Sequence, residues 1–180
     1  AIIIGNREAW GRGAGTEAGP NQNGEADASQ RRLGRAVHRF LEWAASPRRQ
    51  GADSSWPELA HNAAREFGVP GDAVLTLGST ILTSESCARF FDPRGLRWSG
   101  NEVPVSDAGE VLRIDRLVQF EPAQGGQWWV LDYKLAHRPD QLPAYRQQLL
   151  RYRDAVASLD PMAQVCCAFV TGDGQVIEIQ

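Results

Sequence analysis

The chain has almost no lysine. Of its 19 basic side chains only Lys134 is a lysine; the rest are arginines. Cysteine is nearly as scarce. Cys87, Cys166 and Cys167 form an odd set with no C-x-x-C pair, which argues against a zinc ribbon or an iron–sulfur cluster. Free thiols point to a reducing compartment, and the bacterial cytoplasm is the expected location. Methionine occurs once, at Met162, and the first residue is Ala1. The expectation is a piece of a longer protein. No run approaches the roughly 18 apolar residues of a membrane span, and Ala1-Ile2-Ile3-Ile4-Gly5 is too short for a signal peptide. No membrane partner is expected. With one lysine there is no Gly-x-x-x-x-Gly-Lys-[Ser/Thr] phosphate loop, so any use of ATP belongs to another part of the parent protein. A net charge of −3 argues against a generic polyanion binder.

What is present is more specific. Residues 1–30, poor in apolar side chains after the first four, read as a linker or tail from an upstream domain. Residues 31–180 read as one domain. Leu33, Val37, Phe40, Leu41 and Ala44 recur at helical spacing over Gln30–Ala45, with Pro47 at the end. Further helices are expected at Trp56–Phe67, Gly71–Phe91 and Asp140–Leu159, the last with a stripe of Leu142, Tyr145, Leu149, Tyr152 and Val156. Strands are expected at Leu96–Val105, Val111–Phe120, Gln127–Lys134, Val165–Thr171 and Gln175–Ile179. The fold class is α+β (mixed α/β). Two basic groups stand out: Arg31, Arg32, Arg35, Arg39, Arg48 and Arg49, then Arg138, Arg146, Arg151 and Arg153. Such patches track a phosphate backbone or simply solvate helix faces.

The lone lysine closes Leu131-Asp132-Tyr133-Lys134. Strand alternation puts Asp132 and Lys134 on one face. A hairpin symmetric about Ala123 and Gln124 pairs residues whose numbers sum to about 247, placing Asp115 opposite Asp132. Adjacent carboxylates among apolar neighbours need a counter-charge, and oxygen ligation suits Mg²⁺ or Mn²⁺. Lys134 is then placed to stabilise charge on a phosphate or to orient a water. On the first helix Gly34, His38 and Glu42 share a face; on the late helix so do Gln148 and Tyr152.

In this order the motifs resemble the RecB-like nuclease domain of the PD-(D/E)XK superfamily, as at the C-terminal end of AddA/RecB-type helicase–nucleases. They are Gly34-Arg35-Ala36-Val37-His38, Ile114-Asp115-Arg116, Asp132-Tyr133-Lys134 and Gln148-Leu149-Leu150-Arg151-Tyr152. The resemblance implies a restriction-endonuclease-like core, a central mixed sheet flanked by helices, with an N-terminal helical segment. It implies hydrolysis of DNA, single-stranded and of exonuclease type, in recombinational double-strand-break repair. His38, Asp115, Asp132 and the Tyr133 carbonyl would bind Mg²⁺ or Mn²⁺, and Lys134 would be catalytic beside the two aspartates. Gln148, Tyr152, Glu102 and Arg116 would support the site or touch DNA. The implied partners are helicase domains of the same parent chain and a second subunit of the AddB/RecC type. Arg113 and Leu135 depart from the family's usual Gly and Thr, without removing a catalytic group. The rival readings are a catalytically inactive module that binds DNA or docks onto a partner, and a stand-alone nuclease of the same superfamily.

Overall fold

The computed structural model describes residues 22–46, 55–135 and 138–180. Four helices lead the chain: α1 (Gln22–Ala44), α2 (Trp56–Phe67), α3 (Gly71–Thr83) and a single turn, α4 (Glu85–Ala88). Then come β1 (Leu96–Asp107), β2 (Glu110–Phe120), β3 (Trp128–Lys134), α5 (Pro143–Leu159), β4 (Val165–Thr171) and β5 (Val176–Ile179). The sheet order is β1-β2-β3-β4-β5. Only β3 and β4 run parallel, because α5 crosses over between them; hairpins join the rest. This is the expected mixed sheet flanked by helices.

Each face of the sheet has its own core. Val37, Phe40 and Leu41 of α1 join Val118, Leu131 and Tyr133 of the sheet on one side. On the other side Leu149, Tyr152 and Val156 of α5 cover Val130, Cys167 and Phe169. Of the stripe expected on α5, Leu142 is exposed, because it stands just before the helix. Among the described residues, no helix is long and apolar enough to cross a membrane.

Two boundaries differ from the sequence expectation by more than three residues. α1 starts at Gln22, so residues 22–30, read as tail, are helical; residues 1–21, Pro47, Arg48 and Arg49 lie outside the described residues. The long helix expected from Gly71 breaks at Ser84. The Thr80 and Thr83 hydroxyls bond back to Thr76 O and Ser79 O at 2.8 Å, competing with the helical ladder. Ser84 itself turns extended, and its Oγ caps the next turn at Cys87 N. Gly78 sits mid-helix because the Phe40 ring lies on it: a Cβ there would meet Phe40 Cδ1 at 2.2 Å.

Candidate functional site

β2 and β3 pair in the expected register. Arg116–Leu131, Leu117–Val130, Val118–Trp129 and Gln119–Trp128 are partners. The ladder stops there, so Asp115 and Asp132 are not a ladder pair; they lie where the two strands part. Asp115 Oδ2 instead accepts from Tyr133 N at 2.8 Å, a carboxylate standing in for a backbone acceptor.

The β1–β2 ladder is interrupted at the same level. Asn101–Arg116 and Val103–Ile114 pair, but Glu102 and Asp115 do not, and Glu102 has φ 51°. The strands also exchange faces here. Asn101 and Arg116 bond to the helical side, at Glu42 O and Phe90 O. Val103 and Ile114 pack with the α5 core. Residues two apart in a regular strand share a face, so the exchange requires a break in both strands. Asp115 sits at that break.

Around it the other motif residues gather. His38, on α1, has Nδ1 3.6 Å from Asp115 Oδ2 and Nε2 2.9 Å from Tyr133 O. Its ring meets that of Tyr133 edge-on at 5.3 Å. Asp132 and Lys134 share a face as expected, with Nζ 2.6 Å from Asp132 Oδ2. At that distance the ammonium donates to the buried carboxylate oxygen in a charge-assisted contact. Lys134 Nζ also lies 4.9 Å from the centre of the Tyr145 ring. Tyr145 was legible only as part of the α5 stripe; its place over the lysine depends on how α5 packs. Gln148 Nε2 donates to Tyr152 OH at 2.7 Å, joining the two α5 residues expected to act together.

Electrostatics follow from burial. Burial pushes Asp115 up to about 6, against the Tyr133 N–H bond and Lys134, which favour its charged form. Burial, then the neighbouring Asp115 charge, pushes Asp132 up to about 6 as well, with Lys134 opposing. Burial and Asp115 also raise Glu102. Burial lowers His38, favouring the neutral imidazole that a metal ligand must be. Burial disfavours the Lys134 ammonium, but Asp132 and Asp115 outweigh it and raise its pKa.

Two expectations change in detail. Arg116 is 1 % exposed and cannot touch DNA. It donates to Phe90 O at 2.9 Å and to Asn101 Oδ1 at 2.7 Å and lies over the Phe91 ring, so it braces the fold beneath the site. The second basic group is mostly neutralised: Arg138 pairs with Asp140, Arg151 with Asp107 and Glu110, and Arg153 with Asp154. Beside His38, Glu102 lines a small cleft of about 170 Å³ with Arg35, Arg39, Glu42 and Phe67. A larger groove of about 670 Å³ runs along α5 past Arg146 and Arg151, away from the carboxylates. At Gly34 a Cβ would stand 4.0 Å from Leu135 Cδ1, so this position adjoins the end of β3 with space to spare.

Two carboxylates, an imidazole and an ammonium thus gather near the end of the parallel β3–β4 pair in a mixed five-stranded sheet. The sequence profile of the PD-(D/E)XK nuclease superfamily matches residues 10–174, and the chain belongs to that superfamily. The fold is consistent with its restriction-endonuclease-like core. No curated protein matches the chain.

Proposed function

We propose that this chain hydrolyses DNA phosphodiester bonds with Mg²⁺ or Mn²⁺, as the nuclease domain of a helicase–nuclease in recombinational double-strand-break repair. The observation that carries the chemistry is the meeting of Asp115, Asp132 and Lys134 where β2 and β3 part. The donor set fits a hard divalent cation: two buried carboxylates pushed up to about 6, an imidazole that burial keeps neutral and the Tyr133 carbonyl. Asp115, Asp132, His38 and the Tyr133 carbonyl would hold it. Among the described residues no three His, Cys, Asp or Glu side chains converge closely enough as they stand to hold a metal. Binding would compete with the Tyr133 N–H bond of Asp115 and the Lys134 contact of Asp132.

The bound cation would supply Lewis acidity and a water of lowered pKa. The chain's own residues do the rest. Lys134 stabilises negative charge developing on the phosphate, as the ammonium that the Asp132 pairing keeps protonated. Tyr145 flanks that ammonium, and the Gln148–Tyr152 pair braces α5 over the site. The helicase context, the exonuclease action on single strands and the partner subunit of the AddB/RecC type rest on the four motifs in their order. ATP would be used only by the helicase part.

The test is to incubate the protein with single-stranded DNA and Mg²⁺ or Mn²⁺, without ATP, beside Asp132→Ala. Cleavage by the wild type and a loss of roughly 10²-fold or more in the variant is expected. Equal cleavage by both would place the activity elsewhere.

A further inference from the structure

Asn101 belongs to no motif, yet three elements meet on its side chain. Its Nδ2 donates to Glu42 O of α1 at 3.1 Å, and its Oδ1 accepts from Arg116 NH1 of β2 at 2.7 Å. Arg116 in turn is anchored at Phe90 O. Neither amide group of Asn101 can be exchanged: the carbonyl meets a donor and the NH₂ an acceptor. The Arg116 guanidinium below is buried without a carboxylate partner among the described residues, so the amide is part of what compensates its burial.

The next residue is Glu102, at φ 51°. A non-glycine residue in the left-handed region costs on the order of 1 kcal/mol, and it persists only where its surroundings enforce it. Here the enforcement is visible. Asn101 is fixed toward α1, while Val103 is held in the α5 core, so the backbone between them must reverse its facing within one residue. That reversal carries the Glu102 carboxylate into the cleft beside His38, where it pairs with Arg113 at 3.8 Å and feels the charges of Asp115, Glu42 and His38.

We propose that Asn101 is a positioning residue: by fastening β1 to α1 and to Arg116 it holds the Glu102 turn, and so presents Glu102 as a third acidic group to the cation site. This rests on the reading of a cation-dependent nuclease. It assigns Asn101 no contact with substrate or metal.

The test combines Mn²⁺ binding by calorimetry, DNA cleavage and thermal unfolding for Asn101→Ala, Glu102→Gln and the double variant. Asn101→Ala is expected to weaken Mn²⁺ binding about 10-fold and to lower kcat by a similar factor, with KM for DNA little changed. In the double variant the two effects should overlap and not multiply, because Asn101 acts through Glu102. Should Asn101→Ala fail to fold, Asn101→Asp decides: it keeps an acceptor for Arg116 but sets a charged oxygen against Glu42 O in place of the donor, and should show the same loss. Wild-type Mn²⁺ affinity in the folded Asn101 variant, or losses that multiply with those of Glu102→Gln, would overturn the proposal. Asp132→Ala distinguishes the two levels. If it cleaves like the wild type, the nuclease reading itself fails; if it is dead while Asn101 and Glu102 act independently, only the role of Asn101 falls.

Discussion

At Lys134 a 2.6 Å contact to Asp132 and the Tyr145 ring at 4.9 Å leave a slot that suits a compact ammonium. A guanidinium is wider and planar, and its charge is spread over a fork. Lys134→Arg should therefore lose nearly as much cleavage as Lys134→Ala, roughly 10²–10³-fold; wild-type-like turnover by the arginine variant would refute the role. Asp115 gives a second prediction, in stability. Its folded pKa, about 6, lies above its ordinary 3.8. Between those values the folded state binds the proton more tightly, so this group's contribution falls as pH rises from about 4 through about 6. Above that range the full cost of the buried charge remains. Asn can still accept from Tyr133 N but carries no charge. In EDTA, Asp115→Asn should melt higher than wild type at pH 7.5, and the gain should disappear near pH 4. A variant melting lower at pH 7.5 would show that the carboxylate is stabilising as it stands.

The elements that carry these residues are placed by close packing. α1 and α3 approach at Gly78 because the Phe40 ring occupies the space of a side chain. Alanine is the better helix former by about 1 kcal/mol, yet here its methyl must displace a buried ring. Gly78→Ala should lower stability by roughly 1–3 kcal/mol, measured by urea unfolding, in spite of its propensity. Because α1 also carries His38, the variant's remaining folded fraction should bind Mn²⁺ less tightly. The helical period of α1, the extent of α2 and the five strands were all legible from spacing and turn residues, whereas the Ser55–Glu58 capping pair emerged only with the structure. The break at Ser84 was not, because a single helical stripe runs across it and only the local hydroxyl bonds decide that it ends. Nor was the start of α1, where the sequence has little to bury.

For the molecule as a whole, charge is distributed more narrowly than its arginine count suggests. Arg39 is held by Glu42 and Glu66, and most of the late basic group is paired with acids. Arg35 differs. It stacks on Phe67 at 4.9 Å, has no carboxylate partner among the described residues, and shares the cleft of His38 and Glu102. If the chain cleaves DNA as proposed, Arg35 is placed to meet a backbone phosphate at that cleft. Arg35→Gln is expected to raise KM several-fold with kcat unchanged, and to reduce the slope of log affinity against log salt by about 0.7, the value for one single-strand phosphate contact. An unchanged salt slope would remove Arg35 from the DNA path.

By itself the sequence determined the order of elements, the faces of β3 and the pairing of β2 with β3, because strand alternation and hairpin symmetry are local rules. It also named the candidate residues His38, Asp115, Asp132 and Lys134, because they stand in motifs that follow one another in a recognisable order. Tertiary structure alone decided where the β2–β3 ladder stops, why Asp115 bonds to Tyr133 N, that Arg116 is buried, and that Glu102 takes a left-handed backbone after Asn101 and lines the cleft of His38. Each of these depends on contacts between residues far apart in the chain: Asn101 with Glu42, Arg116 with Phe90, His38 with Tyr133. No periodicity encodes them, because a strand that changes face within one residue obeys its two packed cores and not its own alternation.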